Sequence, residues 1–136
     1  MQKATREQSE AFLDSLGVRG AERRAQLLFI ASGLPAELKR LVDDENCFEA
    51  RAKIVRDARQ LVQGSAYERL LVAQSYKDDR STSLTLIEDG MKLVRQAMEK
   101  HGAVNALTML TRLQTCHERI TQMGNIRLQL YALAVL

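Results

Sequence analysis

Residues 120–136 read ITQMGNIRLQLYALAVL, and after Asn125 only Arg127 and Gln129 are strongly polar. A terminal segment with so little to offer water must be buried on most of its sides. It is too short to span a bilayer and lacks flanking basic anchors. The alternation of Ile126, Leu128 and Leu130 also fits a strand, but no other stretch of the chain reads as a strand to pair with it. A helix is therefore expected, opened by Asn125 as its cap after a stop at Gly124. Such a helix is either the centre of a small bundle or one side of a contact with another subunit.

The rest of the chain agrees with an all-helical fold. Its 136 residues are enough for one ordinary domain or two very small ones, and a 46% hydrophobic content is enough for a core. Trp is absent, aromatic residues make up 4% and there is one Pro, which argues against an all-β sandwich.

Start and stop signals divide the chain into about eight helices. Thr5–Gln8 (TREQ) fits a capping box and opens a helix stopped at Gly17. A second helix runs from about Ala21 to Gly33, and a third starts at Pro35, suited to a first helical turn, and ends near Asp44. NCFE places Asn46 as the next cap, with Glu49 reaching back. Phe48, Ala52, Val55, Ala58 and Val62 then share one side, widened by Ile54 and Leu61, up to Gly64. Ser65 and Glu68 form another box, and DDRSTS is a polar break with hydroxyl caps. The longest run carries Leu84, Ile87, Met91, Val94 and Met98 as a core-facing stripe, with Gly90 allowing a close helix contact. Lys100 and His101 before Gly102 make a helix C-terminus. Leu107, Leu110, Leu113, Cys116 and Ile120 point inward from the helix that follows. The one plausible boundary lies near Asp43–Asn46, where three short helices give way to five longer ones, which sets expected units of 1–45 and 46–136.

Signatures of catalysis are missing. There is no glycine-rich phosphate loop, no HExxH and no GxSxG. The acidic pairs Asp43–Asp44 and Asp78–Asp79 fall in connections, as solvated turn residues do. His101 reads as a helix-terminal cation and His117 as a satisfied boundary histidine. No catalytic, cofactor-binding or metal-binding residue is assigned. Cys47 and Cys116 lie far apart without a CxxC, so two reduced, buried thiols in a cytoplasmic protein are expected. Cys116 and His117 are adjacent, but neighbours on a helix point about 100° apart and do not readily share one ion. The net charge of +3 comes from 20 basic and 17 acidic residues with the signs interspersed, which is unlike a dedicated nucleic-acid face. Arg51, Lys53, Arg56 and Arg59 likewise spread round their helix.

Several stretches resemble the C-terminal part of bacterial DNA polymerase III clamp-loader subunits, delta-prime foremost and gamma/tau next. They are ASGLPAELKRLVDDE (31–45), ARQLVQGSAYERLL (58–71), the long helix after it, and GNIRLQLYALAVL (124–136). In that family the lid of the ATPase module ends in a small-residue turn followed by a helix, and Ser32, Gly33, Leu34 and Pro35 stand in that place. Its last collar helix opens with Asn and carries Arg-Leu and further leucines, matched by Asn125, Arg127, Leu128, Leu130 and Leu133. The chain departs from the family in lacking the N-terminal ATPase-fold domain and its zinc module. It also lacks the nucleotide-sensing arginine after the turn, where Ala36 and Glu37 follow Pro35.

The resemblance implies an all-α fold, a three-helix lid-like unit followed by a five-helix collar bundle. The implied role is structural: the collar packs in a ring with other loader subunits, touching the sliding clamp and DNA only through the parent complex and no membrane. It implies Asn125, Arg127, Leu128 and Tyr131 as interface candidates, no cofactor for this region, and cytoplasmic location. A stand-alone helical protein-binding adaptor is the alternative.

Overall fold

The computed structural model describes residues 5–101, 104–122 and 124–135, with the backbone alone at 101, 104 and 105. Every element among them is an α-helix: α1 (Arg6–Ser15), α2 (Ala21–Ala31), α3 (Pro35–Asp43), α4 (Glu45–Gln63), α5 (Ala66–Tyr76), α6 (Arg80–His101), α7 (Val104–Thr121) and α8 (Ile126–Val135). The chain forms two compact units, Met1–Lys53 and Ile54–Leu136, and the division falls inside α4.

In the first unit, the backbone N–H of Gln8 donates to the Thr5 hydroxyl at 3.2 Å, and the Thr5 N–H donates to the Gln8 side chain at 2.9 Å. Both legs of the capping box at TREQ are therefore made. Pro35 stands in the first turn of α3, and Ser32 closes α2 in the left-handed region at φ 52°. Leu13, Leu27, Leu38 and Leu41 are fully buried. Arg24 ties α2 to α1 through the Asp14 carboxylate at 2.5 Å and the Glu10 carbonyl at 2.9 Å. Arg23 makes a two-pronged bond to Glu45 at 2.6 and 3.1 Å, and its guanidinium lies 4.5 Å from the centre of the Phe48 ring.

The cap of α4 is not Asn46. The Asp44 carboxylate accepts the Cys47 N–H at 3.1 Å, and Asn46 already lies in the first turn. Asp and Asn cap about equally well. What decides is that Asp44 has the extended backbone a cap requires. The same correction applies before α6, where hydroxyl caps were expected. There the Asp79 carboxylate takes the Thr82 N–H at 3.0 Å and its hydroxyl at 2.6 Å. At Ser65 the expected cap is present: its oxygen accepts the Glu68 N–H at 3.3 Å, and its hydroxyl donates to the Glu68 carboxylate at 3.1 Å.

The second unit is built on two helix pairings, α6 with α7 and α5 with α8, and α8 also packs on α7. Arg80, at the start of α6, donates to the Ile120 carbonyl in the last turn of α7, so these two helices run antiparallel. Its guanidinium also reaches the Gly124 carbonyl at 3.3 Å, holding the turn into α8. Gly124 is required there, because a Cβ would run into the Arg119 carbonyl oxygen.

The core contains Ala58, Leu61, Val72, Ala73, Leu86, Ile87, Val94, Leu113, Cys116, Ile120, Leu130 and Leu133. Of the expected α6 stripe, Ile87 and Val94 are buried, while Leu84, Met91 and Met98 line its edge. Leu107, expected inward, is instead 57% exposed, one turn into α7. Leu86, Ser83 and Asp89, outside that stripe, are buried.

Polar groups are stitched into this core. The Ser83 hydroxyl donates to the carbonyls of Tyr76 and Asp79. The Tyr76 hydroxyl donates to Asp57 at 2.5 Å. Asp89 is 1% exposed and lies 4.0 Å from the Lys92 ammonium.

Gly90 faces Val62 and Leu113, and a Cβ placed on it would lie 3.5 and 3.6 Å from their methyl groups, ordinary contact distances. Gly90→Ala therefore fills space without a clash and removes the cost of a glycine in a helix interior, about 0.5–1 kcal/mol. A thermal melt of the variant is expected to rise by several degrees, and a fall would show that the helices are closer than this. Tyr76 supplies a second expectation. Burial, the bond to Asp57 and the negative charges of Asp57 and Asp89 all hold its phenol protonated well above the ordinary value of 10.0. A raised folded-state value means the stabilisation is complete below about pH 10 and is lost as pH rises beyond it. The melting temperature of the wild type is expected to fall more steeply above pH 10 than that of Tyr76→Phe, and parallel curves would contradict this.

Candidate functional site

The candidate site grows from α8. With successive residues turned by about 100°, Ile126, Leu130, Leu133 and Ala134 fall on one side, and Leu128, Ala132 and Val135 on the other. Leu130 and Ala134 are fully buried and Leu133 nearly so, against α5 and α7. Leu128 and Val135 are 65% and 66% exposed. The segment thus has two apolar faces, of which the bundle covers one.

The four residues singled out from the sequence have different positions. The Asn125 side chain accepts the Leu128 N–H at 3.1 Å and so serves as the cap of α8. Arg127 is exposed, with its guanidinium 5.7 Å from the centre of the Tyr131 ring one turn on. Tyr131 is half-buried against the core rather than turned outward. Leu128 alone among the four is an exposed apolar side chain.

Further exposed apolar residues were missed in the sequence. On α5, Tyr67, Leu70 and Leu71 are 71%, 37% and 45% exposed, on the side opposite Val72, Ala73 and Tyr76, which are buried. The signal was available: AYERLLVAQSY has apolar residues on both sides of its helix, as α8 does. The two helices of the α5–α8 pairing therefore share one property, a second apolar stripe facing away from their own core.

Between α7 and α8 lies an open groove of about 170 Å³, lined by Thr111, Arg112, Thr115, Cys116 and Arg119 from α7 and Gln129, Ala132 and Leu133 from α8. Cys116 is buried beneath it, and its thiol points to the Gln129 carbonyl at 3.6 Å. Burial pushes this thiol up to about 11, so it is a protonated, unreactive group at neutral pH. Cys47 is half-buried rather than buried, with the Arg40 guanidinium 3.6 Å from its sulfur. His117, half-buried, pairs with Glu88 at 3.0 Å and faces away from the thiol beside it. Among the described residues no group of three or more His, Cys, Asp or Glu could hold a metal ion, and no helix is long and apolar enough to cross a membrane. His101, expected as a helix-terminal cation, has a side chain outside the described residues.

The two faces of α8 separate stability from surface chemistry. Leu130→Ala and Leu133→Ala each remove a buried side chain and are expected to cost about 2–5 kcal/mol. Leu128→Ala is expected to change stability by no more than about 0.5 kcal/mol. Urea unfolding of the three variants measures the difference, and a Leu128 variant as unstable as the other two would mean that the outer face is core. Comparison of this chain with protein-family models, curated proteins and solved structures finds no match.

Proposed function

We propose that the chain is the lid and collar region of a clamp-loader subunit of the bacterial DNA polymerase III kind, similar to delta-prime. In this reading the second unit is an assembly module in the cytoplasm. It packs beside the corresponding bundles of other loader subunits, and its contact with sliding clamp and DNA is indirect, through the complex. The observation that carries the reading is the outer face of α8, where Leu128 and Val135 stay exposed on a helix that has already committed its other side to a core. An apolar face left uncovered on a packed helix suits a partner-binding role. The α5 stripe of Tyr67, Leu70 and Leu71 adds to it. The resemblance of residues 31–45 and 124–136 to the lid turn and last collar helix supplies the kind of partner.

The test is co-purification with the other loader subunits. Leu128→Asp and Val135→Asp place a charge where a neighbour would pack and are expected to weaken assembly by about 2 kcal/mol or more, roughly thirtyfold, with an unchanged melting temperature. Arg127→Ala is expected to weaken assembly less. Titration with ATP and magnesium is expected to give no heat, for want of a phosphate loop. Variants that co-purify like the parent, or a micromolar ATP isotherm, would show that the chain works otherwise.

A further inference from the structure

The geometry points to the groove between α7 and α8 as a docking site for an acidic amphipathic helix of a partner protein. This inference does not rest on the loader reading: it is argued from the groove lining and its charge, although the groove's α8 edge runs into the Leu128 and Val135 face.

The shape comes first. One wall is the α7 side chains from Thr111 to Arg119, and the other is the α8 residues Gln129, Ala132 and Leu133. The wall on α7 spans eight helical steps from Thr111 to Arg119, about 12 Å, or two turns of an incoming helix. The floor is apolar, formed by Leu133, Ala132 and the protonated Cys116 thiol. On α8 the surface continues from Ala132 to Leu128 and Val135, four residues before it and three after, which are exposed. A helix laid in the groove would therefore meet apolar surface along one side of its length, the arrangement by which amphipathic helices dock.

Charge identifies the partner. Arg112 and Arg119 are seven residues apart, on the same face of α7, and both are exposed. Over residues 104–136 the basic residues are Arg112, Arg119 and Arg127, and the one acidic residue is Glu118, with no Lys or Asp. Glu118 does not line the groove. The rest of the wall does not provide a pocket for a small anion. The Thr111 and Thr115 hydroxyls donate to the carbonyls of Leu107 and Thr111, so they are spent within their own helix. Positive charge at the rim above an apolar floor fits carboxylates flanking an apolar stripe.

The probe is a synthetic helical peptide of about four turns, with Leu along one face and Glu beside it, carrying a fluorophore. Its partner peptide has Lys in place of each Glu. Anisotropy with the full chain is expected to show micromolar binding of the Glu peptide, weakened as salt rises, and none of the Lys peptide. Arg119→Glu is expected to weaken the Glu peptide by at least about tenfold and to confer binding of the Lys peptide. Ala132→Trp, which fills the groove, is expected to abolish both. Arg59→Glu, on the exposed side of α4, is expected to leave binding unchanged, and thermal melts show that each variant is folded. Equal binding of the Glu and Lys peptides, or an affinity indifferent to Arg119→Glu in a folded variant, overturns the proposal. So does sedimentation showing that the chain self-associates and that Ala132→Trp makes it monomeric, because the occupant would then be a second copy.

Discussion

Burial of Leu130 and Leu133 against α5 and α7 is the constraint on which the second unit depends. A ten-residue helix in isolation is marginal at best. Each buried leucine contributes about 1.5–3 kcal/mol toward the cost of ordering this terminal segment. The local bonds are arranged to support that burial. Asn125 starts α8 in the right register, Gly124 lets the chain close on the Arg119 carbonyl, and Arg80 holds the turn from the far end of α6. Because the leucines and alanines of α8 surround its axis, seating one side leaves Leu128 and Val135 in water. The exposed face is thus the geometric remainder of the buried one.

Helix identity and most boundaries were legible because they are local. Thr5, Ser65, Pro35 and Asn125 act within one turn of where they stand in the sequence. Asn46 shows the limit of that reading. Asp44 and Asn46 are competing caps two residues apart, and side-chain chemistry does not rank them; backbone conformation does. Leu107 shows another. It continues the i, i+3 series of Leu110 and Leu113, but lies near the start of α7, where the neighbouring helices no longer cover that face. Periodicity gives the direction of a side chain and not the extent of what lies opposite. The outer stripes of α5 and α8 were harder to read for the same reason, since a helix apolar on both sides does not show which side its own chain will cover.

The buried polar groups are the least legible part. Ser83 and Asp89 sit in a helix whose apolar stripe is clear without them, yet both are more deeply buried than Met91 or Met98 on that stripe. They are tolerated because partners lie within reach, some on other elements and some on the same helix. Ser83 reaches the Tyr76 carbonyl that ends α5, Asp89 has Lys92 nearby, and Asp57 is met by the Tyr76 hydroxyl. A satisfied buried polar group costs little, whereas an unsatisfied one costs about 1–3 kcal/mol. Such groups favour one packing over near alternatives with the same hydrophobic content. Sequence spacing does not reveal the Ser83 and Asp57 bonds, whose partners lie seven and 19 positions away.

The two thiols give the molecule an internal means of distinguishing its parts. Cys47 belongs to the first compact unit and Cys116 to the second. Cys116 is buried at the bottom of the groove between α7 and α8, and its high proton affinity suppresses the thiolate that alkylating reagents attack. Its labelling must await a local opening around α7 and α8, so its rate counts those openings, while the half-buried Cys47 is the more accessible of the two. A single mixing experiment on the unmodified chain can therefore separate a fast phase at Cys47 from a slow one that times the opening of the second unit.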